Sequence, residues 1–188
     1  TPSQSVVFKD VKPADKDSIN SILKANNVPQ AEDIDSLVLN SIACPALPMC
    51  GLAVAEAERR MPTFNEMVRD ILTEIGMPDA SLRIRMTGCP NGCARPYMAE
   101  LALVGDGPDM YQIWVGGNPG LTRLAEALDE RIKWMDMKAY MTTLFTQWRE
   151  QRLGEEAFGD FVGELFRTRR KQIGATLSRM KLAIPAGL

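Results

Sequence analysis

The four cysteines of this chain fall in two pairs, Cys44-x5-Cys50 and Cys89-x3-Cys93, with 38 residues between the pairs. If all four serve one centre, the fold must bring two distant loops together. Both loops are dense with proline and glycine: Pro45 and Pro90 directly follow cysteines, and Gly51, Gly88 and Gly92 lack side chains. Inert buried cysteines sit more often inside apolar strands or helices. Four cysteines in 188 residues are also sparse for a secreted disulfide scaffold. The pattern favours metal binding. Structural zinc sites prefer Cys-x2-Cys knuckles, and neither pair has that spacing. An iron–sulfur cluster holds its thiolates farther apart, and flexible loops let backbone N–H groups turn toward its sulfurs. Spacing alone leaves iron–sulfur and zinc both open.

The chain has no histidine, which excludes a Ser-His-Asp or Cys-His nucleophile within it and the usual axial ligand of ordinary haem. Chemistry must run through cysteines, carboxylates, basic side chains or a bound cofactor. With 22 basic and 24 acidic residues, nothing in the overall charge suggests nucleic acid or an anionic membrane. No apolar run approaches the ~20 residues of a membrane helix, and the N-terminus shows no signal-peptide pattern. An aqueous, reducing, cytoplasmic location is expected. Thr1 is not a natural start, so the chain also reads as a piece of something longer. Hydrophobic residues make up 45% of it, enough for a packed core in one domain with a smaller attached unit.

Along the chain, residues 5–10 read as a short strand. Pro13 opens a helix with Ile19, Ile22 and Leu23 on one stripe, and 36–42 reads as a second strand. This β-α-β unit, residues 1–42, is too small to bury its own core. Residues 43–188 form the second unit. There, 51–60 is rich in helix formers, and a helix spans about 65–75. Residues 82–86 alternate apolar and basic, giving a strand with Arg83 and Arg85 on one face. Strands at 99–104 and 111–115 are joined by a Gly-Asp-Gly-Pro-Asp hairpin signal. The loop 116–120 leads into a helix carrying Leu121, Leu124, Ala125, Leu128 and Ile132, and a last helix carries Met137 to Trp148. The class is α+β with a mixed sheet flanked by helices.

Thr87-Gly-Cys-Pro-Asn-Gly-Cys93 resembles the signature loop of the sirohaem-dependent nitrite and sulfite reductases. The segment Ala43 to Arg59, with the first cysteine pair and the run Gly-Leu-Ala-Val-Ala-Glu-Ala-Glu-Arg, resembles the same family's first cluster segment. Residues 99–105, Gly116-Gly-Asn118 and Gly154 to Phe161 extend the likeness, which covers roughly 5–161. The short span from Cys93 to Gly116 resembles the NADPH-type sulfite reductase haemoprotein more than the ferredoxin-dependent nitrite reductases.

That resemblance implies a nitrite/sulfite reductase 4Fe–4S domain with half of a ferredoxin-like unit at its N-terminus. It implies that Cys44, Cys50, Cys89 and Cys93 ligate one 4Fe–4S cluster and that Cys93 also bridges to the sirohaem iron. Sirohaem carries eight carboxylates and needs a cationic, donor-rich pocket. Arg95, Thr87 and Asn91 are candidates from the signature loop, as are Arg83, Arg85 and Asn118. A solvated strand face is the alternative for Arg83 and Arg85, and a tight turn for Asn118. The implied function is six-electron reduction of sulfite to sulfide, with electrons from an NADPH-dependent flavoprotein. In the family the residues that grip sulfite lie in an N-terminal half, so this chain alone is expected to be inactive. The sequence leaves open whether it pairs with itself over the face that half would cover. A sirohaem nitrite reductase and a non-catalytic iron–sulfur or zinc module are the rivals. The basic stretch from Leu165 to Leu188 reads as a solvated face.

Overall fold

The computed structural model describes residues 6–168. A five-stranded mixed sheet organises the chain, in the order β1-β2-β3-β4-β5. The strands are β1 (Ser41–Ala43), β2 (Ile84–Thr87), β3 (Leu101–Gly107), β4 (Met110–Val115) and β5 (Glu126–Lys133). β1, β2 and β3 run parallel, and β4 and β5 are added antiparallel. The helices are α1 (Lys16–Ala25), α2 (Ser36–Leu39), α3 (Met61–Glu74) and α4 (Met137–Gln151), with α5 over residues 158–168.

Alternation along the strands decides the layers, because successive side chains point to opposite faces. Ile84 and Met86, Leu101 and Leu103, and Tyr111, Ile113 and Val115 turn to one face and are fully buried there. Phe64, Val68, Ile71 and Leu72 of α3 pack on them, as do Met137, Met141, Phe145 and Trp148 of α4. Each such side chain contributes roughly 1.5–3 kcal/mol by leaving water. Phe158 closes the layer edge-on to Phe145 and Trp148, with ring centroids 5.3 and 5.5 Å apart. The opposite face of the sheet carries Ile42, Arg85, Thr87, Ala102 and Val104, all buried.

Four local expectations are overturned. Residues 6–10 join no sheet, so the β-α-β unit lacks its first strand. The strand expected at 36–42 is divided: the Asp35 carboxylate accepts from the Leu37 amide at 2.7 Å and starts α2, leaving only Ser41–Ala43 extended. The helix formers of 51–60 form turns. There the amides of Val54 and Ala55 both donate to the Gly88 carbonyl, at 2.8 and 3.0 Å, and Ala55 and Ala57 enter the core. Tertiary bonds override propensity at that segment.

The helix expected at 121–132 is strand β5. Leu128 and Ile132 lie four residues apart, a spacing that shares a face in a strand as well as in a helix. Register shifts against β4 between Tyr111 and Trp114 further hide the alternation. The remaining expected elements form close to their expected bounds, with α3 beginning earlier, at Met61 beside Pro62. Of the basic C-terminal stretch, residues 169–188 lie outside the described residues.

Candidate metal centre

Both cysteine loops leave the carboxyl ends of neighbouring parallel strands. The register pairs Ala43 with Met86, so β1 runs into Cys44 beside the point where β2 runs into Gly88 and Cys89. The Cys44 amide donates to the Met86 carbonyl at 3.1 Å, continuing the ladder one residue past β1. The Gly88 amide in turn donates to Cys44 Sγ at 3.4 Å. Crevices outside the carboxyl ends of parallel strands are the usual ligand sites of such sheets.

All four thiols are free: Cys89 is buried, Cys44 and Cys50 are half-buried, and Cys93 is exposed. Burial pushes the Cys44 thiol up, the Gly88 and Ala46 amides pull it down, and negative charge on Cys93 and Cys89 pushes it up again. Those three thiols therefore share one neighbourhood. Among the described residues, no three His, Cys, Asp or Glu side chains converge on a single metal ion. A cubane cluster, whose corners stand between the thiolates, asks for a wider arrangement than one zinc does.

Each loop is tied down by side chains that spacing did not reveal. Within the first, the Cys50 amide donates to the Ala46 carbonyl at 2.8 Å, and Ala46 adopts a φ of 51°. Arg59 pairs with Glu56 and donates to the Leu47 carbonyl at 2.9 Å. In the second, the Tyr97 hydroxyl donates to the Pro90 carbonyl at 2.8 Å, and the Arg95 amide donates to the Gly92 carbonyl at 2.7 Å. Arg95 itself has a φ of 57° and an exposed side chain.

On the second face of the sheet, Arg85 is 5% exposed and, among the described residues, donates to backbone, to the Asn40 carbonyl at 2.7 Å and the Ile84 carbonyl at 2.9 Å. No carboxylate among the described residues reaches ion-pair distance of it. Burial, with Arg95 and Arg83 nearby, lowers its pKa to about 10. Thr87, two residues on, buries a hydroxyl with no hydrogen-bond partner among the described residues. Arg83 donates through Nε to the Pro119 carbonyl at 2.7 Å, so it fastens the loop that carries Asn118. A solvated strand face does not describe Arg83 and Arg85.

Of the sequence candidates, Thr87 directly precedes the second cysteine loop, Arg95 lies just beyond it and near Arg85, and Arg83 and Arg85 bond toward Asn40, just ahead of β1. Asn91 is exposed on the signature loop itself. Asn118 spends its carboxamide locally, accepting from the Thr122 and Arg123 amides at 2.8 and 2.9 Å. Glu100 was not foreseen. It is 2% exposed and accepts from the Arg83 amide at 2.9 Å and the Gly159 amide at 3.1 Å, joining β2 to the start of α5. A lone acid at the head of an apolar strand run was the available signal.

A mixed sheet with two cysteine loops at the carboxyl ends of adjacent parallel strands defines an α+β domain that carries four free thiols. Residues 35–165 match the family model described as "Nitrite and sulphite reductase 4Fe-4S domain", and the chain belongs to that family. It is 48% identical over 161 residues to the sulfite reductase (ferredoxin) of Synechococcus elongatus, covering 86% of this chain and 26% of that protein. It is 41% identical over 162 residues to the sulfite reductase (NADPH) hemoprotein beta-component of Myxococcus xanthus, covering 86% of this chain and 29% of the relative. The NirA protein of Mycobacterium tuberculosis shares the fold at a TM-score of 0.69 and 23% identity, over 86% of this chain and 31% of that one. The chain therefore spans less than a third of the length of each of these relatives.

Proposed function

We propose that this chain is the C-terminal, cofactor-binding part of an assimilatory sulfite reductase haemoprotein, which reduces sulfite to sulfide by six electrons. The observation that carries the reading is four free thiols on the loops that leave the carboxyl ends of two adjacent parallel strands, with Arg85 buried on the second of those strands and no carboxylate among the described residues within ion-pair distance of it.

The residues present fit both expected groups. Cys44, Cys50, Cys89 and Cys93 hold a 4Fe–4S cluster, and the Gly88 amide is already aimed at Cys44 Sγ. Cys93, the exposed thiol, would be the one available to the sirohaem as well as to the cluster. Arg85 and the Thr87 hydroxyl would hold sirohaem carboxylates, which would supply the anion and the acceptor that neither group finds among the described residues. Arg95 and Asn91, both exposed, would complete that rim, while Arg83 and Asn118 shape the loop at 118–119. When bound, the coupled groups supply electrons one at a time to a substrate-bearing iron. The chain's own part is to fix the thiol positions, neutralise the macrocycle's charge and exclude water on the Arg85 side.

In this reading the residues that grip sulfite lie elsewhere in the whole protein, and the isolated chain does not turn over. Electrons come from a separate donor, an NADPH-dependent flavoprotein or a ferredoxin, and the setting is cytoplasmic. Residues 1–42 belong to half of a ferredoxin-like unit and 43–188 to the cofactor domain. Val6, Val7, Phe8 and Leu39 are more than half exposed, which supports a cover over the first unit: the rest of the protein or a second copy. Sulfite is favoured over nitrite because the relatives of higher identity are sulfite reductases.

The test is iron, acid-labile sulfide and extractable sirohaem in the full-length protein, with Cys93→Ser alongside. About four iron and four sulfide per chain, with sirohaem lost in the variant, support the reading. Stoichiometric zinc without sulfide or sirohaem overturns it.

A further inference from the structure

We propose that Gly105, twelve residues beyond Cys93 on β3, is a positioning residue for the thiols of Cys44 and Cys89. The inference rests on the cluster reading above and adds to it a residue that no spacing argument selects.

The Gly88 peptide is the joint between the two cysteine loops. Its amide donates to Cys44 Sγ at 3.4 Å, and its carbon is bonded to the nitrogen of Cys89. Its carbonyl takes the Val54 and Ala55 amides at 2.8 and 3.0 Å, which anchors the chain that follows Cys50. All three connections hold only if Gly88 stays where it is.

Gly88 is wedged on both sides. A Cβ on it would stand 2.6 Å from the Ala55 carbonyl oxygen, 2.7 Å from the Ala46 Cβ and 3.0 Å from the Ala53 Cβ. From the other side, a Cβ on Gly105 would stand 2.4 Å from the Gly88 oxygen, 2.6 Å from the Gly88 carbon and 2.8 Å from the Ala55 Cβ. The obstructing atoms are backbone and a methyl, none of which is the far end of a flexible chain. A methyl at 105 must therefore displace the Gly88 carbonyl or the strand beneath it. Displacement turns the Gly88–Cys89 peptide, moves the attachment of Cys89, and lengthens the bond to Cys44 Sγ. Gly105 is bare because the Gly88 carbonyl occupies the place of its side chain.

N–H···S bonds favour the more negative, reduced form of a cluster, so loss of one makes reduction harder. Gly105→Ala in the full-length protein is expected to lower the cluster midpoint potential. Gly120→Ala, whose Cβ would meet nothing nearer than 3.6 Å, leaves the potential in place. The same effect is read without any cluster in the apo protein carrying Cys44 as its sole cysteine. There Gly105→Ala should speed alkylation of Cys44 and hydrogen exchange of the Gly88 amide several-fold, Gly120→Ala neither. Should Gly105→Ala fail to fold, Ala55→Gly loosens the same wedge without adding atoms, and is expected to move both rates in the same direction. Unchanged rates in a folded Gly105→Ala protein, or in Ala55→Gly, overturn the positioning role. Rates that change in a protein binding no iron or sulfide support the positioning of Cys44 while refuting the cluster reading.

Discussion

Tyr97 stands edge-on to Trp114, their ring centroids 4.7 Å apart, and from that position its hydroxyl reaches the Pro90 carbonyl at 2.8 Å. The sheet thus holds the second cysteine loop through one aromatic pair and one hydrogen bond. Tyr97→Phe keeps the ring contact and removes the bond, which stabilises by about 0.5–1.5 kcal/mol. Exchange of loop amides at 89–93 should rise by up to about tenfold, with global stability nearly unchanged. Equal exchange in the two proteins would show that the bond does not restrain the loop.

Arg85 should behave in opposite ways in the isolated chain and in the whole protein. A buried guanidinium without an anion is a burden, and replacing buried charge by an apolar side chain of like volume is often neutral or stabilising by about 1–4 kcal/mol. Arg85→Met also gives up the bonds to Asn40 and Ile84. The isolated chain should therefore unfold within about 1 kcal/mol of the parent, while the full-length variant loses sirohaem. Retention of full sirohaem in that variant would remove Arg85 from the pocket.

Thr87→Val exchanges an unpartnered buried hydroxyl for a methyl of similar shape. Leaving such a group unsatisfied costs about 1–3 kcal/mol. Denaturant unfolding of the isolated chain should show the valine variant more stable by roughly 1 kcal/mol. In the cofactor-loaded protein the gain should vanish or reverse, because the hydroxyl then has an acceptor to lose.

Glu100 makes stability depend on pH. Burial pushes its carboxyl pKa up, against the Arg83 and Gly159 amides that pull it down. The folded state then holds this proton more tightly than the unfolded chain does. Its contribution is fully present below the ordinary carboxylate pKa and is lost as pH rises through the raised folded value. Glu100→Gln should flatten that part of the stability–pH curve. It should also cost about 1–3 kcal/mol near neutral pH, because the carboxamide turns an N–H toward one of two amide donors. An unchanged pH slope in the variant would assign the titration to another group.

The sequence exposed the parts of this fold where one signal acts alone. Met137, Met141, Leu144 and Trp148 share one stripe, and α4 forms where they predict it. Residues 82–86 alternate cleanly, and β2 places Arg83 and Arg85 together. Where two signals compete, sequence reasoning failed. The helix formers of 51–60 yield to the Gly88 carbonyl, an acceptor more than thirty residues away. Leu128 and Ile132 satisfy helix and strand spacing alike, and only pairing with β4 decides between them. At the candidate site, the cysteines announce themselves by composition. Glu100, Arg59 and Tyr97 do not, because each acts on a backbone atom distant in sequence, and nothing local marks such a pairing.

The ladder between β1 and β2 also works as a caliper. Three residue pairs, Ser41–Ile84, Ile42–Arg85 and Ala43–Met86, fix how far Cys44 stands from Gly88. A slip of one residue would carry Cys44 about 3.3 Å along the strand and turn its thiol to the opposite face. The exposed turn after α3 can lengthen or shorten without altering that measure; the three pairs cannot. Insertions at the exposed Pro78–Asp79 turn should be tolerated in such chains, whereas a single residue added within 41–43 or 84–87 should abolish the centre at once.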